Sequence, residues 1–227
     1  MIHERITAPS RMLTRAFFAR PCAEIAPDLL GCSLIHDFDD GGRVSGIIVE
    51  VEAYLGDGSD PGSHSHRGPT RRNAAMFGPP GRFYVYRSMG IHLCANVVCE
   101  PEGSGAAVLL RAIEPREGLE VMRRNRSGRP ERDLTNGPAK LTQAFGIRLE
   151  HDRDSVLRGS LRVEAGHARP ARIARSPRIG LTKGADLWQR FFVVDNRWVT
   201  PSPVNRRARR IRPIMGGLWV RQTRAAR

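Results

Sequence analysis

Over residues 46–55 the chain reads Gly-Ile-Ile-Val-Glu-Val-Glu-Ala-Tyr-Leu, a strand pattern whose second half is polar or aromatic at alternate positions. Side chains of a strand alternate faces. Val49, Val51, Ala53 and Leu55 therefore share one side, and Ile48, Glu50, Glu52 and Tyr54 the other. A carboxylate taken out of water without a partner costs several kcal/mol, so two on one face need a wet edge or partners of opposite charge. The same alternation predicts strands at 32–36, 44–55, 82–88, 93–98 and 106–113, with shorter ones at 161–164, 171–173 and 191–194. Asp39-Asp40-Gly41-Gly42 marks a hairpin turn between the first two.

Helical stretches are short. One over 21–30 ends at Gly31, a favourable stop. Pro115 is placed to open a second over 116–125, and Asn136, with Pro138 in the first turn, starts a third over 137–145. Residues 125–133 form a basic connector and 56–80 a long polar loop, a length that inside a compact domain is functional or disordered. The expected fold class is α+β: a single domain over 11–204, built on a curved, mostly antiparallel β-sheet flanked by helices. A flexible segment, 1–10, precedes it, and an arginine-rich tail, 205–227, follows.

Composition adds an anionic partner. The 227 residues carry a formal charge of +14; eight arginines and no acid lie in 205–227, leaving +6 elsewhere. No apolar run approaches the roughly 18 residues that span a membrane, and the N-terminus lacks an export signal, so no membrane and a cytoplasmic location are expected. Cys22, Cys32, Cys94 and Cys99 show no CxxC spacing and are expected as free thiols. The rival zinc set would be His64 and His66 with Cys94 and Cys99; the expectation is no metal and no cofactor.

Candidate chemistry gathers around Glu52. Tyr84 and Tyr86 share a strand face opposite Phe83 and Val85, Asn96 stands between apolar neighbours, and Arg111 closes the apolar run 106–110. A site of Glu52, Tyr54, His64, Tyr86, Asn96 and Arg111 would hold aromatic plates, a carboxylate, an amide and a cation. Such a set can stack a planar heterocycle, read its edge and activate a water beside it, which an enzyme holding an extruded base requires.

These residues lie in segments that resemble the alkyladenine (3-methyladenine) DNA glycosylases: 49–56, 60–64, 67–73 with Met76 and Phe77, 80–86, 108–115, 134–141 and 178–180, in order between about residues 13 and 200. The resemblance implies a monofunctional glycosylase that flips a damaged purine out of double-stranded DNA and hydrolyses its N-glycosidic bond, acting as a monomer associated with the nucleoid. By position, Glu52 resembles the general base, with Arg111 and the backbone carbonyl of Ile179 as co-ligands of the attacking water. Tyr54, His64 and Tyr86 resemble the walls that sandwich the base, and Asn96 the residue that opposes the 2-amino group of guanine. Met89 stands where the family usually has an intercalating tyrosine, beside Ile91 and His92 on the same DNA-entering segment. Arg87 and Lys140 are the expected phosphate contacts. A catalytically silent nucleic-acid-binding member of the fold is the alternative, against which the retained Glu52 counts. Lyase chemistry would need an amine, and the chain has only Lys140 and Lys183.

Overall fold

Antiparallel pairing organises residues 13–166 and 168–211, the part of the chain that the computed structural model describes. Helices α1 (Arg15–Phe18) and α2 (Cys22–Leu29) lead into strands β1 (Ser33–Asp37) and β2 (Arg43–Tyr54). Strands β3 (Phe83–Ser88), β4 (His92–Cys99) and β5 (Ala106–Glu117) follow. Then come α3 (Leu119–Asn125), α4 (Pro138–Ala144), β6 (Leu161–Glu164), β7 (Ile173–Ser176), β8 (Arg190–Val193) and β9 (Arg209–Ile211). The sheet order is β3-β4-β5-β2-β8-β7-β9, with β1 pairing β2 and β6 pairing β1. The chain is thus α+β, as its alternation predicts. The expected segment 1–10 and the tail beyond 211 lie outside the described residues.

The two faces of the sheet differ. Phe83, Val85, Ala95, Val97, Val108, Leu110, Val51 and Ala53 join α1 and α2 in the main core. The opposite face carries a small cluster of Ala75, Met76, Tyr84, Val98 and Ala107, with Tyr54, Phe77 and Tyr86 against it. Glu50 and Glu52 are both fully buried charges and require the partners described below.

Where β2 meets β5 the register slips twice. Ile48 pairs Ile113 and Glu50 pairs Ala112, but Val51 pairs Leu110, so Val49 on one strand and Arg111 on the other are left without a direct partner. Bulges of this kind bend a strand and re-aim side chains. Ile48, expected on the acidic face, instead packs in the main core with Val49 because the bulge intervenes. Pro115 does not open a helix. It continues β5 opposite Gly46, where a further register shift accommodates its missing N–H. Helix α3 starts only after Gly118, whose left-handed φ of +73° suits glycine and where a Cβ would lie 2.1 Å from Arg43 O. Gly137 rather than Asn136 caps α4. The strand expected at 171–173 is shifted to β7 at Ile173–Ser176. Within the expected tail, residues 209–211 join the sheet as β9 paired with β7, and Asn205 Oδ1 accepts from Arg190 Nη1 at 2.9 Å.

Candidate active site

One cross-strand row lays out the site. Tyr84 pairs Asn96, Asn96 pairs Leu109, Leu109 pairs Glu52 and Glu52 pairs Arg190, across β3, β4, β5, β2 and β8. Directly opposed residues project to the same side of a sheet. At about 4.8 Å per strand, Asn96 and Glu52 stand roughly 10 Å apart, with Leu109 between them in the row.

Glu52 is held at both oxygens. Oε1 accepts the backbone N–H of Ile179 at 2.8 Å; Oε2 accepts Arg111 Nη1 at 3.1 Å and the Tyr54 hydroxyl at 3.1 Å. The contact from Ile179 is therefore through its amide, where the resemblance assigns its carbonyl. Burial and the neighbouring Glu52 charge push the Tyr54 phenol well above its usual range, so the phenol keeps the proton it donates. Arg111 also donates Nε to Glu50 Oε1 at 3.0 Å. Burial opposes its charge, and the Glu52 and Glu50 carboxylates more than offset this, so its pKa is raised.

The aromatic box lies beside this carboxylate. Tyr54, His64, Met76, Tyr84, Tyr86 and Asn96 line a cavity of about 20 Å³. His64 stands edge-on to Tyr86, with centroids 4.5 Å apart at 73°, and Tyr84 stacks on Tyr86 at 5.3 Å. These rings make one continuous wall. The outer support of Tyr54 is Arg178, whose guanidinium lies 4.5 Å from the ring centroid and is gripped by Asp60 in a fully buried pair at 2.6 Å. Asp60 also accepts from the backbone N–H groups of Leu55 and Gly62, which fixes the start of the long polar loop. His64 is presented from that loop. Its Nδ1 meets the Tyr84 hydroxyl at 3.0 Å, and buried Asn73 donates to its carbonyl at 2.8 Å. Burial, then the positive Arg72, lower the His64 pKa, so the ring is neutral at neutral pH. Asn96 Nδ2 donates to Tyr84 O at 3.0 Å, which fixes the amide at the rim of the box.

Met89 sits at the tip of the β3–β4 hairpin. Ile91 N donates to Ser88 O at 3.1 Å, and Met89 and Gly90 have φ of +48° and +75°, the signature of a type I′ turn. A non-glycine residue in the left-handed region costs about 1–2 kcal/mol. Met89 is nevertheless 81% exposed and Ile91 69% exposed. Outliers of this kind cluster at functional sites. Arg87 and His92 are exposed beside them. Lys140, by contrast, is occupied locally: its Nζ lies 2.7 Å from Asn136 Oδ1 and 3.5 Å from Asp133.

Among the described residues no three His, Cys, Asp or Glu side chains gather as metal ligands. His66, half of the rival zinc pair, bonds Gly58 O at 3.0 Å, and Cys94 and Cys99 are buried free thiols. Among the described residues no helix is long and apolar enough to cross a membrane.

The structure thus brings Glu52, Arg111, Ile179 and Tyr54 together beside His64, Tyr86 and Asn96, and sets Met89, Ile91 and His92 apart on a projecting turn. Sequence reasoning missed Glu50, Arg190, Asp60, Arg178, Tyr84 and Met76 as supports. Asp60 and Arg178 lie in matched segments but without a role, and the alternation of Glu50 with Glu52 was a visible signal of a shared network.

A buried carboxylate held at both oxygens next to an aromatic box, with an apolar turn on an arginine-rich chain, suits an enzyme that acts on a nucleic-acid base. The chain belongs to the methylpurine-DNA glycosylase family, whose sequence model matches residues 16–197. It is 49% identical over 189 residues to a protein of Rhodopseudomonas palustris strain CGA009, covering 83% of this chain and 88% of that one. A Burkholderia lata protein is 48% identical over 203 residues, 88% of this chain and 95% of its own, and one from Nitrobacter winogradskyi is 47% identical over 188 residues, 83% and 86% respectively. All three bear the name "Putative 3-methyladenine DNA glycosylase". Family and relatives together support a DNA glycosylase for alkylated bases.

Proposed function

We propose that the protein is a monofunctional DNA glycosylase that turns 3-methyladenine, 7-methylguanine or hypoxanthine out of duplex DNA and hydrolyses the N-glycosidic bond. The observation that carries this reading is the row Asn96–Leu109–Glu52, with the aromatic box on its flank. The base lies over the box with its edge toward Asn96 and its sugar toward Glu52. Tyr54 forms one wall, and His64 with Tyr86 the other. N-alkylated purines carry positive charge that neutral aromatic faces attract, and a neutral His64 adds no repulsion.

In the reaction the bond from C1′ to the base nitrogen breaks and the base takes its electron pair. Water adds to the cationic sugar at C1′ and gives its proton to Glu52. An alkylated purine that enters as a cation leaves neutral. Hypoxanthine, which is neutral, takes up a proton from solvent as it leaves. Arg111 holds the carboxylate in place for the water, and the Ile179 carbonyl is the proposed second contact. No metal or cofactor takes part. Because the box encloses about 20 Å³, close to the ~10–15 Å³ that one water needs, its walls part to admit a purine; the loop carrying His64 is the wall that moves. Met89, with Ile91 and His92 beside it, fills the space left in the duplex, and Arg87 and Lys140 take phosphates. The protein acts as a monomer in the cytoplasm, on the nucleoid.

The test is release of free base from duplexes carrying 3-methyladenine, 7-methylguanine or hypoxanthine, beside an undamaged duplex. The proposal expects release from the damaged duplexes only. Lesion-specific binding without release from any of them would establish the binding module instead.

A further inference from the structure

We propose that Glu50 is a positioning residue: it shares its charge between Arg111 and Arg190 and so sets how strongly Arg111 holds Glu52. The inference rests on Glu52 being the base proposed above. Glu50 is fully buried and is not part of the box lining. Its Oε1 accepts two guanidinium donors, Arg111 Nε at 3.0 Å and Arg190 Nε at 2.6 Å, and its Oε2 accepts the backbone N–H of Thr200 at 2.6 Å. Arg111 is in turn shared, with Nε on Glu50 and Nη1 on Glu52. A guanidinium is a rigid plane with its donors at fixed angles. The bond to Glu50 therefore fixes the direction from which Nη1 meets Glu52.

Backbone geometry supports this. Arg111 is the bulged residue of β5, which sets it between the levels of Glu50 and Val51 rather than opposite either. Arg190 lies directly opposite Glu52 in register, yet its side chain goes to Glu50, Ser176 and Asn205. The chain Glu52–Arg111–Glu50–Arg190 holds two negative and two positive charges in a dry interior, where each strongly affects the next. The remaining groups facing Glu52 come from every adjoining element. They are Tyr54 on its own strand, the Arg178 guanidinium and Ile179 N–H from the segment after β7, Tyr86 from β3 and Cys94 from β4. The hydrogen-bond partners of Glu50 are instead Arg111, Arg190 and Thr200.

The sign of each perturbation follows. Neutralising Glu50 leaves the Arg111 charge wholly to Glu52 and removes a like charge from the same strand face; both make Glu52 a weaker base. Neutralising Arg190 leaves the Glu50 charge wholly to Arg111, loosens its hold and makes Glu52 a stronger base. The two variants move the protein in opposite directions, which loss of packing alone does not do.

The experiment uses the full chain and a duplex carrying 7-methylguanine, which is already cationic and needs no protonation to leave. Protonation of His64, which would repel that cation, is common to every variant, so a difference between variants belongs to Glu52. Single-turnover excision is followed from pH 4.5 to 8.5, with folding checked by circular dichroism. In Glu50→Gln the acid limb is expected to move down by about one pH unit, the low end of what a neighbouring buried charge produces, with a lower plateau rate. In Arg190→Gln it is expected to move up, and Glu50→Asp, which keeps the charge, returns it to the native position. If only one neutral variant folds, the direction of its limb decides. Limbs that stay in place, limbs that move the same way, or failure of both variants to fold assign the network to stability alone and overturn the proposal. Glu52→Gln separates this from the underlying reading: an inert Glu52→Gln upholds the base, and an active one overturns it whatever Glu50 does.

Discussion

Replacing Met89 by Asn should make the protein more stable and a poorer enzyme at once. Met89 occupies the first central position of a type I′ turn with φ of +48°, followed by Gly90, and Asn-Gly is the pair that such turns prefer. Relief of the left-handed strain is worth about 1 kcal/mol. For a domain of this size that raises the melting temperature by roughly 2–4 °C. Little opposes the gain, since Met89 is 81% exposed and has few contacts to lose. On DNA the balance reverses. Burying a methionine side chain in the vacated stack contributes about 1.5–3 kcal/mol, so its loss reduces excision roughly ten- to a hundredfold. That loss falls on stably paired lesions; mispaired or single-stranded ones unstack at less cost. Thermal unfolding gives the first quantity. Single-turnover excision of hypoxanthine from paired and mispaired duplexes, with a fluorescent base reporting the flip, gives the second. An equal loss on both substrates, no loss on either, or a lower melting temperature would refute the argument, and Met89 would be no wedge.

Asp60→Asn should destabilise strongly, because it leaves Arg178 charged inside a pair that is fully buried on both sides. Breaking such a pair costs about 3–5 kcal/mol, or roughly 10 °C for this size; a melting temperature within 2 °C of native, on about that scale of sensitivity, would contradict it. Stability should fall between pH 7.5 and 5.5. Burial lowers the pKa of both His36 and His64, so the unfolded chain takes up protons from about pH 6.5 downward before the folded one does; a flat melting temperature over that window would be the opposing result. Asn96→Ala should raise release of undamaged guanine relative to hypoxanthine, measured by competition on one duplex, and an unchanged ratio would remove Asn96 from specificity.

Much of the site was legible because the strand period is rigid. Alternation put Glu52 with Tyr54, and Tyr84 with Tyr86, on faces that the structure confirms. It failed where the period itself breaks. The paired bulges at Val49 and Arg111 turn Ile48 into the core, and no residue type in that run announces them. Pro115 reads locally as a helix opener, but pairing with Gly46 overrides the preference. The partners of Glu50 come from residues 190 and 200, far along the chain; spacing cannot show contacts made by folding. Arg209 and Arg210, expected in the tail, lie in a strand that extends the sheet.

The central claim is that Glu52 activates the water that cleaves the glycosidic bond. Glu52→Gln keeps the shape of the side chain, can still accept from Ile179 N–H, and removes the base. Single-turnover release of 7-methylguanine should fall by about 10²–10⁴-fold, while the variant binds the same duplex as tightly as the native protein does. A Glu52→Gln protein that releases the base at a near-native rate would contradict the account.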